Sequence, residues 1–119
     1  MKAKKILVID DEKNMLKMFV AILEGHQVAT AENEAEAKGL VLNQDFDLVF
    51  LDVVMPGVDC INLLKFIRKT RPEIKIIMMT GFAKEKELQQ AFKLGASAVM
   101  RKPFEHINKI KEAVSKLAA

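Results

Sequence analysis

Residues 6–12 have the sequence ILVIDDE, in which four consecutive apolar residues are followed directly by three acids. A continuous apolar run, unlike one that alternates with polar residues, is typical of a strand covered on both faces, as in a parallel sheet with helices above and below it. The segment therefore predicts a buried strand whose carboxyl end carries a group of carboxylates.

Similar runs recur along the chain. They are Leu48–Leu51, Ile74–Met79 and Ala96–Met100, with a weaker one at Gln27–Thr30. Between them, apolar residues recur at intervals of three and four, which is typical of helices that bury one face. Gly25, Pro72 and Gly95 stand where three of these helices should end. We therefore predict an α/β fold of five βα units, (βα)5, with a doubly wound parallel sheet of strand order 2-1-3-4-5.

Length and composition favour a single domain over residues 1–119. The chain has 119 residues, of which 50% are hydrophobic and 29% charged, as in a soluble globular domain. Its longest apolar run, Met18–Leu23, is far shorter than the roughly 20 residues that span a bilayer, and the amino terminus does not resemble a signal peptide. We therefore expect a cytoplasmic protein. The single cysteine, Cys60, excludes an internal disulfide and a zinc site built on several cysteines.

The net charge of +3 does not indicate nucleic-acid binding. Residues 101–119 contain five Lys or Arg and two acids, whereas residues 1–100 contain 14 of each sign. The chain has no arginine cluster and neither Trp nor Tyr for base stacking. The excess charge is therefore interpreted as the solvated face of a basic carboxyl-terminal helix.

Polar residues follow four of the five predicted strands. Asp10 and Asp11 follow the first, Asp52 the third, Thr80 the fourth and Lys102 the fifth. The carboxyl ends of parallel strands meet at one edge of the sheet, where ligands bind in open α/β folds. Taken singly, an aspartate here is often only a helix cap or part of a turn, and Lys102 could form a structural ion pair. Their convergence favours a functional site.

Grouped carboxylates repel one another unless a cation keeps them ionised. All-oxygen ligands favour a hard ion, and a small number of protein ligands suits Mg²⁺, which retains waters and accepts a phosphate oxygen. A carboxylate beside Mg²⁺ can attack phosphorus to form an aspartyl phosphate, while a hydroxyl and a lysine neutralise the phosphoryl oxygens. The residues at this edge match that chemistry.

At these positions the sequence closely resembles the receiver domain of two-component response regulators. The matching segments are ILVIDDE at 6–12, FLDVVMPGVD at 50–59, IIMMTGFA at 76–83 and LGASAVMRKPF at 94–104. The resemblance runs from about Lys4 to Leu117 and implies the flavodoxin-like receiver fold. It also implies a phosphoacceptor that catalyses its own phosphorylation rather than an enzyme with turnover.

The resemblance implies a role for each residue of the site. Asp52 would receive the phosphoryl group, and Asp11 and Asp52 would bind Mg²⁺ together with the backbone carbonyl of Val54. Asp10 would hold a metal-bound water.

On the phosphoryl side, the resemblance implies that Thr80 donates a hydrogen bond to a phosphoryl oxygen and that Lys102 pairs with it. Pro103 would follow a cis peptide bond that directs Lys102 inward. The donor would be a phosphohistidine on a sensor histidine kinase or a histidine phosphotransfer protein.

The sequence also departs from the family pattern. Val99 occupies the position of the usual aromatic switch residue, and Cys60 stands where glycine is usual. Val54 and Phe82, two residues after Asp52 and Thr80, are apolar and cannot orient an attacking water. We therefore expect slow self-dephosphorylation and switching dominated by the loop after Thr80.

The first predicted helix has more apolar residues than one buried face requires. If Leu16, Phe19, Val20 and Leu23 face the sheet, a second stripe remains. It consists of Met15, Met18 and Ile22. We expect this stripe to dock a kinase helix together with the loop around Pro103 and Phe104, as the resemblance implies. The alternative is that the stripe only widens the core.

The sequence predicts a stand-alone receiver that either passes its phosphoryl group along a relay or binds a downstream protein through helix 4, strand 5 and helix 5. A monomer is expected, and phosphorylation-dependent dimerisation stays open. Two alternatives remain. One is a small Mg²⁺-dependent phosphohydrolase with an aspartyl-phosphate intermediate, and the other is an interaction module that works without phosphorylation.

Overall fold

The computed structural model describes residues 3–53, 55–80, 85–101 and 107–117. The strands are β1 (Lys5–Ile9), β2 (Gln27–Ala31), β3 (Leu48–Asp52), β4 (Lys75–Thr80) and β5 (Ala98–Arg101). The helices are α1 (Lys13–Ile22), α2 (Glu34–Asn43), α3 (Cys60–Thr70), α4 (Glu85–Lys93) and α5 (Ile107–Leu117). Each strand is followed by a helix, as the sequence predicts.

All five strands are parallel and lie in the order β2-β1-β3-β4-β5. The predicted fold class and strand order are therefore confirmed. The central strands β1, β3 and β4 have apolar runs because a neighbouring strand lies on each side and helices cover both faces. The edge strand β2 is only partly buried, which explains its weaker apolar pattern.

The core consists of two layers, one on each face of the sheet. Side chains of successive strand residues point to opposite faces, so Leu7 and Ile9 join one layer while Ile6 and Val8 join the other. The first layer includes residues of α2, α3 and α4, and the second includes residues of α1 and α5. The helices thus hold the sheet from both sides and fix its carboxyl edge.

Short polar side chains and glycines define the helix ends. The side chain of Asn33 accepts a hydrogen bond from the backbone N–H of Glu36 at 2.9 Å, and Asp59 accepts from the N–H of Asn62 at 3.1 Å. These contacts cap α2 and α3 at their amino ends. Gly25 and Gly95 have φ angles of 97° and 109°, so the turns after α1 and α4 use the left-handed region that glycine favours.

The orientation of α1 differs from the prediction at one residue. Val20 is 46% exposed, whereas Leu16, Phe19 and Leu23 are buried as expected. Met15, Met18 and Ile22 are half-buried and pack against the core layer that includes α5. The buried face of α1 is therefore rotated toward α5, and the prediction that Val20 faces the sheet is wrong.

Within the described residues, no helix is long and apolar enough to cross a membrane.

Candidate functional site at the carboxyl edge of the sheet

Asp10 lies immediately beyond β1 and is fully buried. Its backbone N–H donates to the carbonyl of Ala31 at 3.0 Å, which continues the pairing of β1 with β2 by one residue. One carboxylate oxygen, Oδ1, accepts a hydrogen bond from the backbone N–H of Glu12 at 3.0 Å. These contacts fix the turn that leads from β1 into α1 and direct the carboxylate toward the sheet edge.

Asp52 is the last residue of β3 and is 4% exposed. Ile9 pairs with Leu51, so Asp10 and Asp52 each lie one residue beyond the same register pair on neighbouring strands. On the other side, Asp52 pairs with Met79, and the N–H of Val53 donates to the Met79 carbonyl at 2.8 Å. The two buried acidic residues of the described core thus stand side by side in the register.

Three consecutive acids form the cluster with metal-binding geometry in the described part of the chain. Carboxylate oxygens of Asp10, Asp11 and Glu12 lie within 4.8 Å of one another. Asp10 is buried, while Asp11 and Glu12 are exposed. The sequence predicts Asp10 and Asp11 in a metal site with Asp52. The structure groups Asp10 and Asp11 with Glu12, and Asp52 is not one of the three residues of this cluster. The signal for Glu12 is present in the sequence, because it directly follows the two aspartates.

The chemistry of this donor set fits a hard divalent cation. Carboxylate oxygens are the ligands that Mg²⁺ prefers, and adjacent carboxylates repel one another when no cation lies between them. Asp11 and Glu12 are open to solvent, which leaves room for the waters that Mg²⁺ retains. The residues present at this edge are therefore suited to Mg²⁺.

The pKa of the Cys60 thiol is affected by the negative charges of this region. Burial, with a smaller contribution from the negative charges of Asp52, Asp59 and Asp11, raises its pKa to about 11, against a lowering contribution from a hydrogen bond with the Met55 backbone. Acids that β1 and β3 contribute therefore act together on the amino end of α3. Cys60 itself is buried and unionised at neutral pH, so it behaves as a small apolar residue.

Thr80 and Lys102 come from the two remaining strands of this edge. Thr80 is the last residue of β4, and its backbone pairs with Arg101 of β5. The preceding residue, Met79, pairs with Asp52 of β3. The Thr80 side chain is not among those described. Val54, Phe82, Lys102, Pro103 and Phe104 lie outside the described residues. Their predicted roles therefore stay predictions.

Val99 is half-buried in the middle of β5. It pairs with Met78 and packs against the core layer that includes α3 and α4. A valine at this position has no ring that could rotate between an inward and an outward position.

Comparison with known proteins identifies the family. The family model described as the response regulator receiver domain matches residues 6–115. Sporulation initiation phosphotransferase F of Bacillus subtilis is 34% identical over 115 residues, which cover 95% of this chain and 92% of that protein. Chemotaxis protein CheY of Halobacterium salinarum is 36% identical, with 87% and 88% of the two chains covered.

Solved structures agree with this result. A CheY-like receiver domain protein from Methanospirillum hungatei superimposes with a TM-score of 0.92 at 28% identity, over 98% of this chain and 94% of that one. A response regulator from Burkholderia pseudomallei, described with a phosphorylated aspartic acid and a calcium ion, has a TM-score of 0.87 at 28% identity and covers 97% and 68%.

The chain belongs to the response regulator receiver domain family, the signal-transduction module of two-component systems. It spans nearly the whole length of sporulation initiation phosphotransferase F and of CheY. It covers only 42% of a larger relative, the transcriptional regulatory protein ResD of Bacillus subtilis.

Proposed function

We propose that this receiver domain accepts a phosphoryl group on Asp52 in a Mg²⁺-dependent reaction, from a phosphohistidine on a sensor kinase or a phosphotransfer protein. The observation that carries the proposal is the register at the carboxyl edge. Asp52 ends the central strand β3, is 4% exposed and lies beside buried Asp10. The Burkholderia pseudomallei relative, described with a phosphorylated aspartic acid, supports the same chemistry here.

The reaction is an in-line phosphoryl transfer. A carboxylate oxygen of Asp52 attacks the phosphorus, the bond from phosphorus to the donor imidazole nitrogen breaks, and that nitrogen keeps the electron pair and takes up a proton. The product is an aspartyl phosphate. Mg²⁺, when bound, neutralises charge on the phosphoryl oxygens. Asp10, Asp11 and Asp52, with the Val54 carbonyl, would hold the ion, and Glu12 is a further candidate ligand.

Thr80 and Lys102 complete the proposed site. Thr80 ends β4, and Lys102 directly follows Arg101, the last residue of β5, in the sequence. The proposal assigns both to the edge that Asp52 occupies. In this proposal the hydroxyl of Thr80 donates a hydrogen bond to one phosphoryl oxygen and the ammonium of Lys102 pairs with another. Phosphorylation adds roughly two negative charges and favours the conformation in which both residues engage the group.

Incubation with Mg²⁺ and an acyl phosphate, followed by intact-mass measurement, tests this proposal. We expect one phosphoryl adduct on the wild type, none on Asp52→Asn, and none when the divalent cation is chelated. Asp45→Asn serves as a matched control, since Asp45 is 83% exposed and pairs with Arg71 away from the site. An adduct on folded Asp52→Asn would contradict the assignment. A folded wild type without an adduct would favour an interaction module that works without phosphorylation.

The same experiment separates a receiver from a phosphohydrolase. An enzyme that uses an aspartyl-phosphate intermediate must release phosphate over many turnovers, and its general acid commonly lies two residues after the nucleophile. That position holds Val54 in this chain. We therefore expect the aspartyl phosphate to persist, and release of phosphate well beyond one equivalent would support the hydrolase.

We further propose that kinase docking involves Met15, Met18 and Ile22 of α1, with Pro103 and Phe104 in the loop after β5. The three α1 side chains are half-buried, so each keeps some surface for a partner while it also widens the core contact. Met18→Glu should slow transfer from a phosphohistidine donor and spare labelling by an acyl phosphate. Leu42→Glu is the control, because Leu42 is 58% exposed on α2. Equal loss of both reactions in Met18→Glu would indicate misfolding.

The remaining parts of the proposed function are the single domain over 1–119, the cytoplasmic location and the readout. The phosphorylated domain would either pass its phosphoryl group on in a relay or present α4, β5 and α5 to a downstream protein, as a monomer or as a phosphorylation-dependent dimer. Sporulation initiation phosphotransferase F, by its name, supports the first of these roles.

A further inference from the structure

One arginine joins two separate connections at the amino edge of the sheet, opposite the phosphorylation site. Arg68 lies in the last turn of α3, and its Nη1 donates to the carbonyl oxygens of Pro72 at 2.7 Å and Ile74 at 2.6 Å. Its Nη2 donates to the carbonyl of Gly95 at 2.6 Å. The first two carbonyls belong to the connection from α3 to β4, and the third belongs to the turn from α4 to β5. We call this group of contacts the Arg68 clamp.

The turn around Gly95 is shaped for this contact. A Cβ atom at residue 95 would lie 2.7 Å from Nε of Arg68, and the φ angle of Gly95 is 109°. Glycine therefore permits both the left-handed backbone and the close approach of the guanidinium. The Nε of Arg68 is buried and has no hydrogen-bond partner among the described residues. The three hydrogen bonds of the clamp all come from Nη1 and Nη2.

The turn is also tied to β4. The N–H of Ser97 donates to the carbonyl of Ile76 at 2.7 Å, and the N–H of Ile76 donates to Oγ of Ser97 at 3.2 Å. The N–H of Ala96 donates to the carbonyl of Ala91 at 3.0 Å within the end of α4. Residues 94–97 are therefore held by α3, by β4 and by α4 itself.

The two ends of α4 differ in their position relative to the phosphorylation site. β4 runs toward the carboxyl edge and ends at Thr80, so α4, which follows it, begins near that edge and returns to the amino edge at Lys93. Its nine residues span roughly 14 Å. A change at Thr80 therefore acts on the amino end of α4, while the clamp holds the other end.

We propose that the Arg68 clamp makes the carboxyl end of α4 a fixed pivot, so that phosphorylation displaces the amino end of α4 and leaves residues 94–97 in place. This inference rests on the proposed phosphorylation of Asp52. The existence of the clamp can be tested without it.

The clamp is tested first in the unphosphorylated protein, by hydrogen exchange at the amides of Ala96 and Ser97. We expect Arg68→Met to raise their exchange rates at least roughly tenfold, and Arg68→Lys to raise them less, because a single ammonium cannot span both connections. Arg71→Met is the matched control, since Arg71 lies one turn further on and donates to the carbonyls of Val41 and Leu42 instead. Equal exchange at Ala96 and Ser97 in the Arg68 and Arg71 variants would overturn the clamp.

The pivot is tested in the phosphorylated protein, with intact mass as proof of the adduct. In the wild type, exchange should change at the amino end of α4 and stay constant at residues 94–97. Arg68→Lys is used here because it keeps the positive charge and provides a folded variant if Arg68→Met fails to fold. In Arg68→Lys, the change in hydrogen exchange on phosphorylation should extend into residues 94–97. A wild type in which both ends of α4 change equally would overturn the pivot. Absence of any adduct would contradict the proposed function and the pivot with it, while the exchange comparison still decides the clamp.

Discussion

The two edges of the sheet handle charge in opposite ways. At the carboxyl edge, carboxylates of Asp10, Asp11 and Glu12 lie within 4.8 Å of one another, and Asp52 is buried on the adjacent strand. At the amino edge, positively charged side chains donate hydrogen bonds to several neutral backbone carbonyls. Arg68 contacts three such carbonyls, and Arg71 contacts two together with the exposed carboxylate of Asp45.

We interpret the carboxyl edge as the region that binds a ligand and the amino edge as the region that keeps the fold rigid. Crowded carboxylates stabilise the protein only when a cation or a phosphoryl group with its counter-charges is present. Arginine donors that end on carbonyls satisfy groups that a helix terminus or a turn would otherwise leave without a partner. Loss of a side chain should therefore reduce stability mainly at the amino edge and reduce function mainly at the carboxyl edge.

The largest expected effect on stability is at Arg68. Arg68→Met removes three hydrogen bonds from a charged donor, two of them to the partly buried carbonyls of Ile74 and Gly95, so the free energy of unfolding should fall by roughly 3 kcal/mol. Urea denaturation measures this change. Arg71→Met should lose only about 1 kcal/mol, because its ion pair with Asp45 is exposed. If Arg68→Met lost no more free energy of unfolding than Arg71→Met, the stabilising role of the Arg68 contacts would be contradicted.

At the carboxyl edge, the expected effect is a gain on adding ligand. Mg²⁺ bound only by the native state should raise the free energy of unfolding by about 2.7 kcal/mol at a hundredfold excess over its Kd. Thermal denaturation with and without Mg²⁺ measures the shift. Asp11→Asn should reduce the gain, and Asp45→Asn should not. An equal stabilisation by Mg²⁺ in the wild type, Asp11→Asn and Asp45→Asn would show that the ion binds elsewhere.

Gly95 connects the amino edge to α4 and should be sensitive to any side chain. Gly95→Ala introduces a Cβ atom at 2.7 Å from Nε of Arg68 and forces alanine to a φ angle of 109°. We expect a loss of about 2 kcal/mol in the free energy of unfolding. Gly57→Ala is the control, since it also has positive φ, at 78°, but its Cβ would meet no atom within 4 Å. Equal losses would show that the contact with Arg68 contributes nothing.

The smallest expected effect on stability at neutral pH is at Cys60, which lies beside the carboxyl edge. Its pKa is raised from 9.0 to about 11, so the thiolate at pH 8 is about a hundredfold scarcer than for an ordinary thiol. Alkylation of the native protein should be slower by about that factor. Because the folded pKa exceeds the unfolded one, the stability due to the neutral thiol is complete below about pH 9 and is lost as the pH rises toward about 11. Alkylation as fast as in urea-unfolded protein would contradict this.

The fold could be predicted because its signals are local. Continuous apolar runs mark the central strands, and three-to-four spacing marks the helices between them. The positions of Asp10 and Asp52 follow from where those runs end. Helix-capping residues such as Asn33 and Asp59 also have a sequence signal, a short polar side chain before an apolar repeat.

The rest depends on contacts between distant parts of the chain. Spacing alone gives the buried face of α1 only to within a residue, and packing against α5 decides that Val20 is exposed. The Arg68 clamp has no local signal, because Gly95 is 27 residues away and accepts through its backbone carbonyl. An arginine at the end of a helix is ordinarily a solvated residue, so only the folded structure identifies this one as a connector.

The most direct test of the account is intact-mass measurement of the wild type, Asp52→Asn and Arg68→Lys after incubation with an acyl phosphate and Mg²⁺. We expect one phosphoryl adduct on the wild type and on Arg68→Lys, and none on Asp52→Asn. An adduct that persists on Asp52→Asn, or that forms equally well without a divalent cation, would contradict the assignment of Asp52 and the carboxyl edge as the phosphorylation site.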